Sequence, residues 1–408
     1  MSTWEAGNAT AVAPGQGSPG GPRVVFMYAQ NGAGLGHIRR CTNVATGVVA
    51  ESADTRVIIA SRSLVAAGAF ALPERCDILK LPVFAGLGED ASGERRVLAD
   101  EEDPAFARLR SRLLVDLVAE LRPRAILVDN EPRGLGGEMV AALALARREG
   151  LADRIVCGLR DIRGRPDYVT RKWAGDGTAA ALDDLYDLAL VYGDPALFDT
   201  KAAYGLGRDI RIDVAETGYL FNGDPARDAA TVRHELDLDA SVPIIAVTAG
   251  SGADGRLLLE RYVADVLPLL PSDAISVLVA GPLMPPAEFD ALRQRARDGS
   301  RIVRSYDAVS LVAAASAVVC QAGYNSLCEA VHLGHRPLVV PRLTRSGEQE
   351  TRAEAFRARG LCEVQRPDVL DGRAIAASIA GQLAQGRRTG SPFDPIASVG
   401  RAARALLG

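Results

Sequence analysis

The chain has 408 residues, 48% of them hydrophobic and 24% charged, which is enough apolar material to bury more than one core. A formal net charge of −4 excludes a protein that coats nucleic acid or an acidic membrane by bulk charge, so no nucleic-acid partner is expected. Six cysteines (Cys41, Cys76, Cys157, Cys320, Cys328, Cys362) show neither CxxC pairs nor metal-ligand spacing, which argues against zinc and against a disulfide framework.

Residues 1–22, rich in Gly, Ala, Pro and Ser, have no periodic apolar face and are expected to form a disordered leader. They lack the basic start and apolar run of a secretory signal, and no apolar stretch further on is long enough to span a bilayer. A cytoplasmic protein without stable membrane insertion is the expectation. From Arg23 short apolar runs alternate with amphipathic segments: RVVFMYA and a helix from His37, TRVIIA, CDILKLP, a helix near 106–121, RAILVDN, a helix from Glu138, RIVCGLR, LALVYGD and IRIDVAETGY. Strand-then-helix repetition predicts parallel sheets with crossover helices.

The polar stretch FNGDPARDAATVRHELDLDASVP, with two prolines and no strand pattern, reads as a linker. Alternation then resumes with PIIAVT, a helix over 257–270, AISVLVAGPL, a helix after Pro286, RIVRSYD, a helix over 308–315, AVVCQAG, a helix from Asn325 and RPLVVPR. The expected architecture is α/β, two tandem Rossmann-like domains with a cleft between them. Residues 23–220 form the first domain and 221–391 the second, and a terminal helix within 392–408 crosses back to the first.

GAGLGHIRR (residues 32–40) falls where the first strand hands over to the first helix, a place where glycines and helix amides favour an anionic or polar group. His37 occupies the position of the third glycine of a dinucleotide fingerprint, which disfavours NAD. At that turn His37 is a candidate general base; the plainer alternative is a His that packs the helix. Asp129, ending RAILVDN, is a candidate partner that would fix its tautomer, or else a turn-former before NEPRG. In the second domain, Gly323, Asn325 and Ser326 would aim helix amides and small polar groups at a phosphate, with Glu329 one turn on for a ribose diol. Asn325 and Ser326 as an N-cap, with Glu329 closing a capping box, is the alternative. The segment GLRDIRGRPDYVTRKW reads as an arginine-rich loop, lining an acceptor or simply solvated.

QAGYNSLCEA, followed by GHRPLVVPR, resembles the signature of GT-B nucleotide-sugar glycosyltransferases, matching at Gly323, Asn325, Ser326 and Glu329, with Tyr324 in place of Trp. The resemblance is to family 28 and the UDP-glycosyltransferases, and to bacterial predicted glycosyltransferases that carry GLGHxRR, GLRDI, VYGDPxxFD and EQxxRA. It implies a donor diphosphate on Gly250, Ser251, Gly252, Gly323, Asn325 and Ser326, a ribose on Glu329 and a nucleobase facing Arg304 and Tyr306. It further implies a donor sugar on Glu348 and Gln349, and an acceptor-side turn at Gly34 and Gly36. Gln321 stands where many plant-type members have His, and the loop before Glu348 differs in length from theirs.

The expected activity is an inverting, metal-independent transfer with His37 as base and no cofactor. The donor is a UDP-sugar, or alternatively a dTDP- or GDP-sugar; the partners are that donor and a small polar or secondary-metabolite acceptor. The expected state is monomer or homodimer. A nucleotide-sugar 2-epimerase of the same fold and a non-catalytic nucleotide-sugar-binding protein are the competing readings.

Overall fold

A computed structural model describes residues 23–30, 36–63, 71–83, 85–89, 95–99, 104–250, 252, 255–296 and 299–408. The expected leader 1–22, Gly34 and Ser251 lie outside the described residues. The first sheet comprises β1 (Arg23–Ala29), β2 (Thr55–Ser61), β3 (Cys76–Lys80), β6 (Ala125–Asp129), β7 (Arg154–Arg160), β8 (Leu188–Tyr192) and β9 (Asp213–Glu216). A separate antiparallel hairpin joins β4 (Ala85–Glu89) to β5 (Arg95–Ala99). The second sheet holds β10 (Ile244–Thr248), β11 (Ile275–Val279), β12 (Ser300–Val303), β13 (Ala317–Cys320), β14 (Leu338–Val339) and β15 (Glu363–Val364).

Strand order is β3-β2-β1-β6-β7-β8-β9 in the first sheet and β12-β11-β10-β13-β14-β15 in the second, parallel throughout. Central strands β6, β8 and β10 are buried along their whole length, because helices cover both faces and leave no room for an alternating polar side. In each sheet the order reverses beside the first strand, between β1 and β6 and between β10 and β13. Open α/β sheets bind ligands at such reversals, outside the carboxyl ends of the strands.

Helix α1 (Gly36–Glu51) packs against the terminal helix Pro395–Leu407. Gly47 permits the approach: an added Cβ would stand 2.8 Å from Val399 Cγ1 and 2.9 Å from Val399 O. Arg404 pairs with Glu51 at 2.6 Å, and Arg124 caps the terminal helix by donating to Leu407 O at 2.9 Å. An aromatic cluster joins the halves, with Tyr219 4.8 Å from Phe393 and 5.7 Å from Tyr324 between ring centroids.

Three expectations need correction. The polar stretch expected as a linker contains the helix Ala229–Glu235, started by Asp228, whose side chain accepts from Thr231 N at 2.7 Å. The helix expected over 257–270 is instead an α segment (Arg256–Arg261), a π turn (Tyr262–Val266) and a 3-10 turn (Leu267–Leu269); Pro268 lacks the N–H and the room that a continuous α ladder requires. The stretch expected as a loop at Gly158–Trp173 holds the end of β7 and the start of the helix Pro166–Gly175. Pro166 initiates that helix and Val169 and Trp173 are buried on it.

Candidate active site

At the first reversal, β1 leads to α1, which places His37 in its first turn and Arg40 one turn on, on the same face. Ala29 of β1 is in register with Asp129 of β6, so the carboxylate that ends β6 arrives at the start of α1. His37 Nδ1 lies 2.5 Å from Asp129 Oδ2. Arg40 donates from Nε to Oδ1 at 3.2 Å and from Nη2 to Oδ2 at 2.9 Å. Burial pushes the Asp129 carboxyl up, but the Arg40 charge and the His37 contact outweigh it and hold the group at about 2. An ionised carboxylate only accepts, so the His37 proton sits on Nδ1 and Nε2 is left as an acceptor.

Burial is the main influence that lowers the His37 pKa below its ordinary 6.5, helped by the Arg40 charge and opposed by Asp129. The imidazole is therefore neutral at pH 7. Its side chain is 17% exposed while Asp129 is fully buried, so the dyad reaches the cleft through the ring alone. The turn after β6 is carried by Asn130, whose φ of 70° is one that Asn tolerates; Asp129 itself faces His37.

At the second reversal, Gly250 and Gly252 follow β10 with φ of 60° and 89°, and an added Cβ at Gly252 would meet Ala280 O at 2.3 Å. Only glycine fits that position. Thr248 of β10 is in register with Cys320 of β13, so the Gly250 turn adjoins the turn that opens the helix Tyr324–His332. Gly323 is the N-cap of this helix and no described side chain caps it, which leaves its first amides open as donors. Asn325 Oδ1 is buried without a hydrogen-bond partner among the described residues. The capping-box alternative is not realised: Glu329 lies 2.8 Å from Arg39 Nη1 of the first domain.

The reversals face each other. A Cβ at Gly36 would stand 3.7 Å from Asn325 Nδ2. Tyr324 OH donates to Tyr192 O at 3.0 Å and accepts from Leu220 N at 2.8 Å. Arg160 grips Glu348 with two bonds of 2.6 and 3.1 Å, and Arg352 bonds both Glu348 (3.0 Å) and Ile162 O (2.7 Å). Burial raises the Glu348 pKa, yet Arg160 and Arg352 prevail and hold it at about 2. Gln349 Oε1 accepts from Arg342 N at 2.9 Å, so both residues expected at the donor sugar have partners within the protein.

Arg304 donates to Met284 O at 2.8 Å and lies over the Phe289 ring, while Tyr306 donates to Glu235 Oε2 at 2.5 Å beneath Arg227. These two side chains thus have different partners within the protein. Arg39 and Arg40 carry no expected role of their own, although both are the arginines of the GLGHxRR stretch and Arg40 stands three residues beyond His37. Among the described residues, no cluster of three or more His, Cys, Asp or Glu side chains is placed to hold a metal ion. No described helix is long and apolar enough to cross a membrane.

Two parallel α/β sheets whose ligand-binding edges meet across a cleft define the GT-B fold. Residues 244–389 match the glycosyltransferase family 28 C-terminal domain. A UDP-N-acetylglucosamine–N-acetylmuramyl-(pentapeptide) pyrophosphoryl-undecaprenol N-acetylglucosamine transferase from Acidothermus cellulolyticus is 30% identical over 203 residues, 49% of this chain and 53% of that relative. The match thus spans about half the length of that relative. Acinetobacter baumannii MurG superposes with a TM-score of 0.55 at 14% identity, covering 94% of this chain and 99% of the other. The calicheamicin glycosyltransferase CalG4 gives 0.55 at 15% identity and 94% coverage of both chains. The fold and the family resemblance read from QAGYNSLCEA both stand.

Proposed function

We propose that this protein is an inverting glycosyltransferase that moves a sugar from a nucleoside-diphosphate sugar, UDP first, to a small polar acceptor. The observation that carries the reading is the His37 Nδ1 to Asp129 Oδ2 contact of 2.5 Å at one reversal, facing open helix amides and Asn325 at the other. Bound over the first domain, the acceptor hydroxyl gives its proton to His37 Nε2 as its oxygen attacks the anomeric carbon from the side opposite the leaving diphosphate. Asp129 holds the ring and stabilises the imidazolium that forms. Charge developing on the diphosphate is met by the amides of residues 324–326, by Ser326 and by the Gly250–Gly252 turn, in place of a metal ion.

Glu348, expected at the donor sugar, has both oxygens held by Arg160 and Arg352. The 30% identity to a nucleotide-sugar transferase supports the donor class. A thermal-shift panel of UDP, dTDP and GDP identifies the base, since a ligand that binds the folded state raises its melting temperature. The matching nucleotide sugars are then incubated with an acceptor panel and read by mass. Gain of one glycosyl unit on an acceptor, lost in His37→Ala, is the expected result. Full transfer by His37→Ala overturns the base assignment, and a sugar nucleotide of unchanged mass but altered chromatographic retention, formed without acceptor, assigns the epimerase reading instead.

A further inference from the structure

The ligand edge of the first sheet carries a second set of charges that this reaction does not use. Ser61 of β2 pairs with Ala29 of β1, and Lys80 of β3 pairs with Ser61, so Arg62 continues the rim on which Asp129 stands, on the other side of β1. Arg62 is 2% exposed, and neither its Nε nor its Nη2 has a hydrogen-bond partner among the described residues. Its charge acts on Tyr28 and on Lys80, and Arg110, from the helix Pro104–Leu121, also acts on Lys80. Glu138 neutralises only part of this group. Its carboxylate takes Arg110 Nε at 2.6 Å and Tyr28 OH at 2.6 Å.

A buried guanidinium with open donors is strongly unfavourable unless an anion completes it. We propose that Arg62, with Lys80 and Arg110, forms a subsite for an anionic group of the acceptor, a phosphate or a carboxylate. Strands are spaced about 4.8 Å apart, so this rim position lies roughly 10 Å from that of Asp129. The preferred acceptor therefore carries its anion about that distance from the hydroxyl presented to His37. The proposal rests on the reading that the first domain takes the acceptor, but anion binding is measured without any transfer.

The melting temperature is followed against inorganic phosphate and, separately, acetate, at ionic strength held constant with chloride and with UDP present to occupy the second-domain turn. Wild type is expected to gain stability with at least one of the anions, phosphate pointing to a phosphorylated acceptor and acetate to a carboxylated one. Arg62→Met is expected to abolish the gain while melting about 2 °C higher without anion, because an apolar chain of similar length replaces an unpaired buried cation. Lys80→Gln, at an exposed position, should weaken anion affinity about threefold, and it serves as the test if Arg62→Met does not fold. No response in wild type, an undiminished response in Arg62→Met, or unchanged affinity in Lys80→Gln overturns the proposal. A response lost in Ser326→Ala but kept in Arg62→Met also overturns it, by assigning the anion to the second domain; loss in Arg62→Met alone sustains it even if His37→Ala proves active.

Discussion

The two sheets reverse strand order in the same way, yet the two reversals are built from different materials. Between β1 and β6 the site is a closed set of side-chain charges, in which Asp129 takes hydrogen bonds from Arg40 and contacts His37. Between β10 and β13 it is glycine backbone, uncapped helix amides and an Asn325 oxygen with no partner among the described residues. Proton transfer needs a network already satisfied, so that one tautomer and one ring orientation persist. Holding a diphosphate needs donors left open, since every donor used internally is one fewer for the ligand. A net charge of −4 is no obstacle to an anionic substrate when backbone amides supply the positive field.

The sharpest way to break this contrast is Asp129→Asn. With the carboxylate gone, Arg40 remains buried without its counter-ion, so about 3–5 kcal/mol of stability should be lost in denaturant titration, together with turnover. A variant as stable and active as wild type would show that the charge network is dispensable. His37→Ala comes next: kcat should fall roughly 100-fold or more, about 2.7 kcal/mol, with nucleotide Kd unchanged by calorimetry. Equal losses in kcat and nucleotide affinity would instead mean that His37 supports the donor side.

Gly252→Ala probes the opposite reversal. A Cβ there would collide with Ala280 O at 2.3 Å and strain a φ of 89°, so about 1–3 kcal/mol of stability and most of the nucleotide-induced melting shift should be lost. Ordinary nucleotide binding by that variant would remove the turn from the site.

Smaller effects come from pH and metal removal. The neutral form of His37 is the active one, and its folded pKa lies below 6.5, so kcat should stay level down to about pH 6.5 and decline only at lower pH. The same sign holds for stability. The unfolded His takes up its proton first, so its contribution is whole above 6.5 and is lost as pH falls below that value. Asp129 contributes above its ordinary 3.8, and that contribution is lost as pH falls toward about 2. An acid limb in the rate profile centred above 6.5 would mean that Asp129 outweighs burial at His37. EDTA treatment should leave the rate unchanged, and a loss restored by a divalent cation would show that amides do not replace a metal.

Much of the fold was legible because its signals are local. Continuous apolar runs such as AILVD and IIAVT bury both faces of a strand, and strand-turn-helix units such as VVCQAGYNSL are written within a dozen residues. His37 and Asp129 could each be placed at a strand end from their own neighbourhoods. The β4–β5 hairpin escaped because AGLGE has neither the β-branched residues nor the alternation of an ordinary strand. The broken helix at Tyr262–Val266 escaped because its apolar spacing still looks helical until Pro268 interrupts the backbone.

By itself, then, the sequence determined two parallel α/β sheets, the glycine turns at their reversals and the residue types available there. Those depend on periodicity and on backbone conformations that only certain residues adopt. Pairing was decided by tertiary structure. Arg160 meets Glu348 across 188 positions, Arg39 reaches Glu329 from the other domain, and Arg40 joins the expected pair of His37 and Asp129. Glu348 has Arg352 one helical turn away, yet nothing near it in the chain marks Arg160 as its other counter-ion, and nothing near Arg62 marks it as unpaired, because counter-ions are chosen by proximity in space and by the desolvation that accompanies burial.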